Sequence, residues 1–366
     1  DGLVDFVQSV LADTGLDPSA IAAIGTVDLK GDEAALKAVS QALDRPIRLF
    51  TAAELEALTP HLPNPSDVVF QEIGCHGVAE ASALALAGRT ARFVTEKRRS
   101  GPYTCAIARA QGASVDISAG RAPGRLFVVG VGPGDAAYRT GAAARAILAS
   151  DAVVGYRLYL DLAADLIGDK PVYESDLGAE EARAAKALAL AAQGQTVSLV
   201  CSGDPGIYAL ATLVFELLAE TQDRNLMGVD VEVVPGISAF QLAAARLGAP
   251  MGHDFCLISL SDLLTPVAAI RQRLAAAAQG DFVTAFYNPQ SKRRRTLLPE
   301  AREVFLTQRP PTTPVALCRQ RDGHNLAGFR PVRGGYVHPG GDRKFHNAGL
   351  RPCRHTPRLH PARLCR

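Results

Sequence analysis

The chain has 366 residues, nearly half of them apolar, with no run of eighteen uninterrupted apolar residues, so a sizeable core is expected and a membrane span is not. The net charge of +2 hides an asymmetry: residues 319–366 hold eleven Lys or Arg against Asp322 and Asp342, leaving the body mildly acidic at about −7. That argues against nucleic acid as a partner. The seven cysteines lack CxxC spacing, which points to reduced thiols in a cytoplasmic protein and to no metal site.

In chain order, residues 3–13 carry apolar positions at helical spacing and end near Gly15. A strand over 21–27, a helix over 33–43 and a strand over 47–50 follow, and Thr51 is expected to cap the next helix. An α/β stretch continues through Val68-Val69-Phe70 and the Ala-rich segment 78–87. Residues 111–124 are small and polar with Gly and Pro, which places a linker at 113–124 between a first domain, 1–112, and a second. From Arg125 the alternation restarts: strands at 126–129, 152–154, 197–200 and 231–234, helices to about 149, over 179–193 and over 207–220. The strand at Leu126–Val129 and the last two each run into a Gly-containing turn and then a helix, the arrangement that binds ligands at strand carboxyl ends.

The first turn is Gly130-Val131-Gly132-Pro133-Gly134-Asp135. A dinucleotide fingerprint fits poorly, because Pro133 and Gly134 break its spacing and Gly155-Tyr156 replaces the ribose-binding acid. The second, Ser202-Gly203-Asp204-Pro205-Gly206-Ile207-Tyr208, offers a carboxylate suited to a ribose hydroxyl or a cationic amine, or to a helix cap. The third is Pro235-Gly236-Ile237-Ser238-Ala239. The fourth, Ala285-Phe286-Tyr287-Asn288-Pro289, leads into Ser291-Lys292-Arg293-Arg294-Arg295, a solvated face or an anchor for an anionic substrate.

The order and spacing of these four loops resemble the tetrapyrrole methylases over residues 125–318. Val154-Gly155-Tyr156 with Tyr159, and Tyr287-Asn288-Pro289 with Ser291-Lys292, resemble the branch that methylates C17 of precorrin-3B. The resemblance implies an α/β fold: a two-subdomain class III methyltransferase with S-adenosylmethionine in the cleft between 125–235 and 236–318, preceded by a small α/β domain. Carried over residue by residue, Pro133, Gly203, Asp204, Ile207, Ser238, Ala239 and Tyr287 would line the cofactor site. It implies C17 methylation coupled to ring contraction, a homodimer, and possible passing of intermediates between pathway enzymes. Contraction needs a general acid or base. Tyr156, Glu174 and Asp176 are candidates near expected strand ends, and Arg157, Lys292 and Arg293 are candidate anchors for substrate carboxylates. A cobalt-factor III methylase, another precorrin methylase and a non-enzymatic corrin-binding scaffold remain alternatives.

The first domain resembles the C-terminal domain of the cobalamin-pathway protein that opens a corrin lactone, through Thr26–Lys30, Phe70–Ala81, Thr95–Arg98 and Thr104–Ala108. That family's opening Gly-rich strand is absent, so the domain is expected to be truncated at its start. Cys75 and His76 read as packing residues, with Glu72 and Lys97 as better candidates for ligand contact. After Pro314–Leu317 apolar periodicity stops. Shifting the reading frame by one base lets His355–Arg366 read TPRGYTPRGYA, and lets Val332–Arg354 yield an apolar strand with a GNSTTR turn like the family's end. Residues 319–366 are therefore expected to be an out-of-frame, irregular tail.

Overall fold

The computed structural model describes residues 2–88, 90–112, 117–176, 178–291 and 294–318, and the backbone of 320–321, 325–326 and 330–332. The first domain opens with α1 (Gly2–Thr14), then β1 (Ile24–Val27), α2 (Ala34–Leu43), β2 (Ile47–Phe50) and α3 (Ala52–Glu56). Thr51 caps α3 as expected: its Oγ1 accepts from the Glu54 amide at 3.2 Å and Glu54 Oε2 accepts from the Thr51 amide at 2.7 Å. Val68–Phe70 lie in a helix, α4 (Asp67–Ile73), followed by α5 (Val78–Ala87). Beyond these come β3 (Arg92–Ser100) and β4 (Tyr103–Arg109), an antiparallel hairpin turning at Gly101 with φ +57°. β1 and β2 pair in parallel, and Val27, Phe50, Leu55, Cys75, Ala81 and Leu84 pack as the core of this domain.

The second domain contains β5 (Arg125–Gly130), α6 (Gly141–Ala149), β6 (Ala152–Tyr156), α7 (Arg157–Asp161), α8 (Ala164–Ile167), β7 (Val172–Ser175), α9 (Glu180–Ala192) and β8 (Thr196–Cys201). It continues with α10 (Ala211–Glu220), α11 (Arg224–Met227) and β9 (Asp230–Val234). The five strands form one parallel sheet in the order β7-β6-β8-β5-β9. Both faces are covered, which is why its strands read as continuous apolar runs. Leu126 and Val128 face one core, with Leu188 and Val214; Phe127 and Val129 face the other, with Ile147 and Leu160. α10 begins at Ala211 rather than 207 because Tyr208 has φ +52° and cannot continue a right-handed helix.

A second subdomain follows: α12 (Ala239–Arg246), β10 (Phe255–Ser259), α13 (Val267–Gln279), β11 (Val283–Tyr287) and α14 (Leu297–Leu306). β10 and β11 pair in parallel over a small core of Ile258, Leu260, Ile270, Leu274 and Leu297. Then come β12 (Val315–Leu317), β13 (Gln320–Arg321), β14 (Asn325–Leu326) and β15 (Arg330–Val332), where β12 pairs with β15 and β13 with β14, both antiparallel. The described part of the tail expected to be irregular thus carries short strands, and its remaining residues lie outside the described ones.

The two domains are joined by more than the chain. Residues 118–121 run along β2: Arg121 and Leu49 exchange both backbone hydrogen bonds at 2.8 Å, and the Arg48 guanidinium binds the carbonyls of Ser118, Ala119 and Gly120. The Arg121 guanidinium then bridges the domains, reaching Asp28 at 3.2 Å on one side, and Asn225 Oδ1 at 2.9 Å and the Ala192 carbonyl on the other.

Candidate functional site

Three loops meet at the carboxyl edge of the five-stranded sheet, after β5, β8 and β9. Gly132 and Gly203 exchange backbone hydrogen bonds, and both have positive φ, +81° and +67°. A Cβ on Gly236 would lie 2.0 Å from the Gly203 carbonyl oxygen and 2.7 Å from that of Gly130. The loops thus pack backbone on backbone, a spacing open only to glycine. Asp204 fastens them: its carboxylate accepts from the Gly206 amide at 2.8 Å and the Gly236 amide at 3.1 Å. The sequence suits Asp204 to a ribose, an amine or a cap; the structure uses it to tie one loop to the next.

Of the seven residues assigned to the cofactor, Gly203 adjoins Ser238 and Ala239, since a Cβ there would sit 3.7 Å from Ser238 Cα. Ser238 caps α12 with its amide donating to Gln241 Oε1 at 2.8 Å. Its own hydroxyl is buried without a well-formed hydrogen bond. Tyr287, ending β11, accepts from the Phe240 amide at 3.3 Å, which ties β11 to the start of α12. Its ring lies 5.2 Å from that of Tyr208, whose hydroxyl donates to the Leu257 carbonyl at 2.8 Å. Burial pushes both phenols up. Pro133 is buried beside the Gly132–Gly203 bridge, and Ile207 follows Asp204 in the same turn. Asp204→Ala is expected to cost about 1–3 kcal/mol of S-adenosylhomocysteine affinity, because two loop amides lose their acceptor. Calorimetric titration checks this; unchanged affinity would separate the loop from the site.

Tyr156 and Glu174 stand at the ends of β6 and β7, with Tyr156 in register with Ser175, and Asp176 follows at once. Arg157 lies 3.8 Å from Glu174, both exposed, beside an open cavity of about 250 Å³. Lys292 and Arg293 lie outside the described residues. Arg183 joins this group although no motif marks it: α9 buries its guanidinium, which donates to Ser175 Oγ at 2.6 Å and the Asp176 carbonyl at 2.7 Å and lies 5.9 Å from the Tyr156 ring centre. Tyr156 packs edge-on against Tyr159, whose phenol is pushed up by burial and held back by a hydrogen bond to Ser202. A cation thus stands behind the candidate acid–base groups, and its only sequence signal is one Arg at a core-facing position of α9.

In the first domain Cys75 is fully buried, its thiol pushed up by burial. His76 stacks on Phe70 at 4.5 Å, lies between Glu56 at 2.9 Å and Asp67 at 3.4 Å, and holds the Glu56 carboxyl below its usual range. Glu72 is exposed; Lys97 Nζ donates to the Asn64 carbonyl at 2.7 Å, while its amide donates to the buried Glu80 at 2.9 Å. Among the described residues no group of three His, Cys, Asp or Glu is placed to hold a metal ion, and all five described cysteines are free thiols. Burial pushes Cys201 up to about 12 and Cys105 up to about 11. With the thiolate so disfavoured, both should resist iodoacetamide at pH 8 in the native protein and react after denaturation, as peptide mass mapping would show.

Residues 125–321, more than half of the chain, match the family described as Tetrapyrrole (Corrin/Porphyrin) Methylases. The chain belongs to the tetrapyrrole methylases. Ahead of the methylase domain, residues 1–108 match the family described as Cobalamin synthesis G C-terminus. Cobalt-factor III methyltransferase of Priestia megaterium is 45% identical over 196 residues, 54% of this chain and 36% of that protein. The probable cobalt-factor III C(17)-methyltransferase of Salmonella typhimurium is 42% identical over 194 residues, 53% of this chain and 79% of the relative. Precorrin-3B C(17)-methyltransferase of Sinorhizobium sp is 40% identical over 230 residues, 63% and 87% of the two chains. This methylase therefore spans about a third of the Priestia relative and most of the other two.

Proposed function

We propose that this tetrapyrrole methylase transfers a methyl group from S-adenosylmethionine to C17 of a reduced tetrapyrrole, precorrin-3B or its cobalt-containing counterpart, with contraction of the ring. The observation that carries this reading is the set of interlocked glycine loops facing the Tyr208–Tyr287 pair, in a chain with the relatives above. The residues present fit the cofactor: the Gly203 surface is one that a Cβ would fill, and the buried Ser238 lies beside it. S-adenosylmethionine supplies a methyl group already activated by the sulfonium charge. The chain's task is to hold donor and acceptor carbon in line and exclude water, which Pro133, Ile207, Ala239 and Tyr287 around the loops are suited to do. Tyr156, Glu174 and Asp176, steadied by Arg183, are our candidates for the proton transfer of contraction. Arg157, Lys292 and Arg293 are our candidates for binding substrate carboxylates.

The test is S-adenosylhomocysteine binding by calorimetry, with mass spectrometry of product from metal-free and cobalt-loaded substrate presented separately. Cofactor binding without methyl transfer to either tetrapyrrole would overturn the reading. The alternatives stay distinguishable: an earlier precorrin methylase would act on neither, and a scaffold would retain tetrapyrrole on the front domain without turnover. We further infer a homodimer, checked by sedimentation. We also infer that the chain from Arg319 is read out of frame, which resequencing around codons 316–330 decides. The family match ends at residue 321. No described helix is long and apolar enough to cross a membrane.

A further inference from the structure

The loop after β10 combines a locked base with an apolar tip. Ser259, in register with Tyr287, accepts through Oγ from Asn288 Nδ2 and from the Ser261 amide, both at 3.2 Å, and the Leu260 amide donates to the Tyr287 carbonyl at 2.9 Å. Arg294 completes the lock. Its Nη1 donates to Asp262 Oδ1 at 3.0 Å and Ser261 Oγ at 3.3 Å, and its Nη2 donates to the Asn288 carbonyl at 2.8 Å. The side chain is only 9% exposed, and its Nε is buried with no hydrogen-bond partner. Burying a guanidinium with one donor unmet is costly. The planar fork reaches the exits of two strands at once, and a lysine could not. Beyond this base, Leu263 and Leu264 are 85% and 98% exposed. Two adjacent leucines turned wholly to water, on a loop fixed at its root, call for an apolar partner.

That root is in register with Tyr287, whose ring packs on Tyr208 of the loop after β8, so the partner belongs on the side of the second subdomain that meets the cofactor loops. We propose that Arg294 is a positioning residue that locks the β10 and β11 exits together, holding Leu263 and Leu264 as an apolar platform for the face of the tetrapyrrole macrocycle. This rests on the proposed substrate class, a broad flat ring with apolar faces and carboxylates at its rim. The leucines would meet the face and leave the rim carboxylates at the edge of the platform.

The experiment uses uroporphyrin III as a binding probe, followed by its Soret absorption, with S-adenosylhomocysteine calorimetry and sedimentation in parallel. The variants are the double substitution Leu263→Ser/Leu264→Ser, which touches exposed side chains only, and Arg294→Gln and Arg294→Lys. Wild type should bind the probe. The leucine double variant should lose about tenfold or more, consistent with two buried side chains, and keep its cofactor affinity. Both Arg294 variants should show the same selective loss, Lys included. Unchanged probe binding in the leucine variant overturns the platform, and a lost dimer with unchanged probe binding would identify the leucines as a subunit contact. Equal loss of probe and cofactor in both Arg294 variants makes Arg294 a fold residue and overturns its role. A wild type that does not bind the probe overturns the platform as well. A wild type that binds probe and cofactor but methylates neither substrate overturns the C17 reading and leaves the platform standing.

Discussion

Gly236→Ala should abolish measurable S-adenosylhomocysteine binding and lower the melting temperature. The added methyl would sit 2.0 Å from the Gly203 carbonyl oxygen and 2.7 Å from that of Gly130. Both obstacles are backbone, so no side chain can rotate away. The loops must separate, and the Gly132–Gly203 bridge and the Asp204 contact to the Gly236 amide are the bonds at risk. Overpacking of a tight core costs about 1–3 kcal/mol and occasionally more. Here the displaced loops are themselves the proposed binding surface, so affinity should fall by at least about a hundredfold, near 3 kcal/mol. Calorimetry and thermal denaturation on the same preparation check it. An Ala variant that binds as wild type would mean the loops do not form the cofactor site.

Arg121→Ala should uncouple the two domains. Its guanidinium contacts Asp28 in the first domain and Asn225 and the Ala192 carbonyl in the second, and it is only a quarter exposed. Removing it leaves a mostly buried carboxylate without its cation. A fully buried pair broken in this way costs about 3–5 kcal/mol; partial exposure of Arg121 reduces the expectation to about 2–3 kcal/mol. A single calorimetric unfolding transition should split in two, and protease should cut near residues 110–124 faster. Gly124→Ala should do the same by sterics alone, since its Cβ would lie 1.7 Å from the Ala191 carbonyl oxygen. One unaltered transition in both variants would show that these contacts are not what couples the two domains.

The glycine loops were legible in the sequence because strand ends, tight turns and helix caps are decided by neighbouring residues. Thr51 with Glu54, and Gly130 to Gly134 after an apolar run, are signals of that kind. The hairpin of β3 and β4 was hidden by charge: Arg92–Ser100 reads Arg-Phe-Val-Thr-Glu-Lys-Arg-Arg-Ser and stands largely open to water. Only the Gly101-Pro102 dipeptide marked its turn. The late start of α10 depends on Tyr208, whose positive φ comes with its contacts to Leu257 and Tyr287, residues remote in sequence. Arg183 and Arg294 illustrate the same limit. In a helix rich in Ala and Glu, or in a run of four basic residues, nothing local says which cation is drawn inside; packing against Tyr156 or Asp262 does.

The sheet order has a consequence for how the chain comes to be folded. β5 lies between β8 and β9, so Arg125 must wait for Thr196 and Asp230 before its strand has either neighbour. Contacts of such sequence separation are slow to form, because a long loop must close before any bond rewards it. During synthesis the first domain can settle as soon as β4 has emerged, while β5 stays unpaired until β8 has been made. The Arg121 bridge is completed between the two strands, after β8 and before β9, when Asn225 arrives. An exposed, apolar Leu126–Val129 is therefore the natural place for a chaperone to hold the growing chain, and substitutions in β8 or β9 should lower soluble yield before they lower activity.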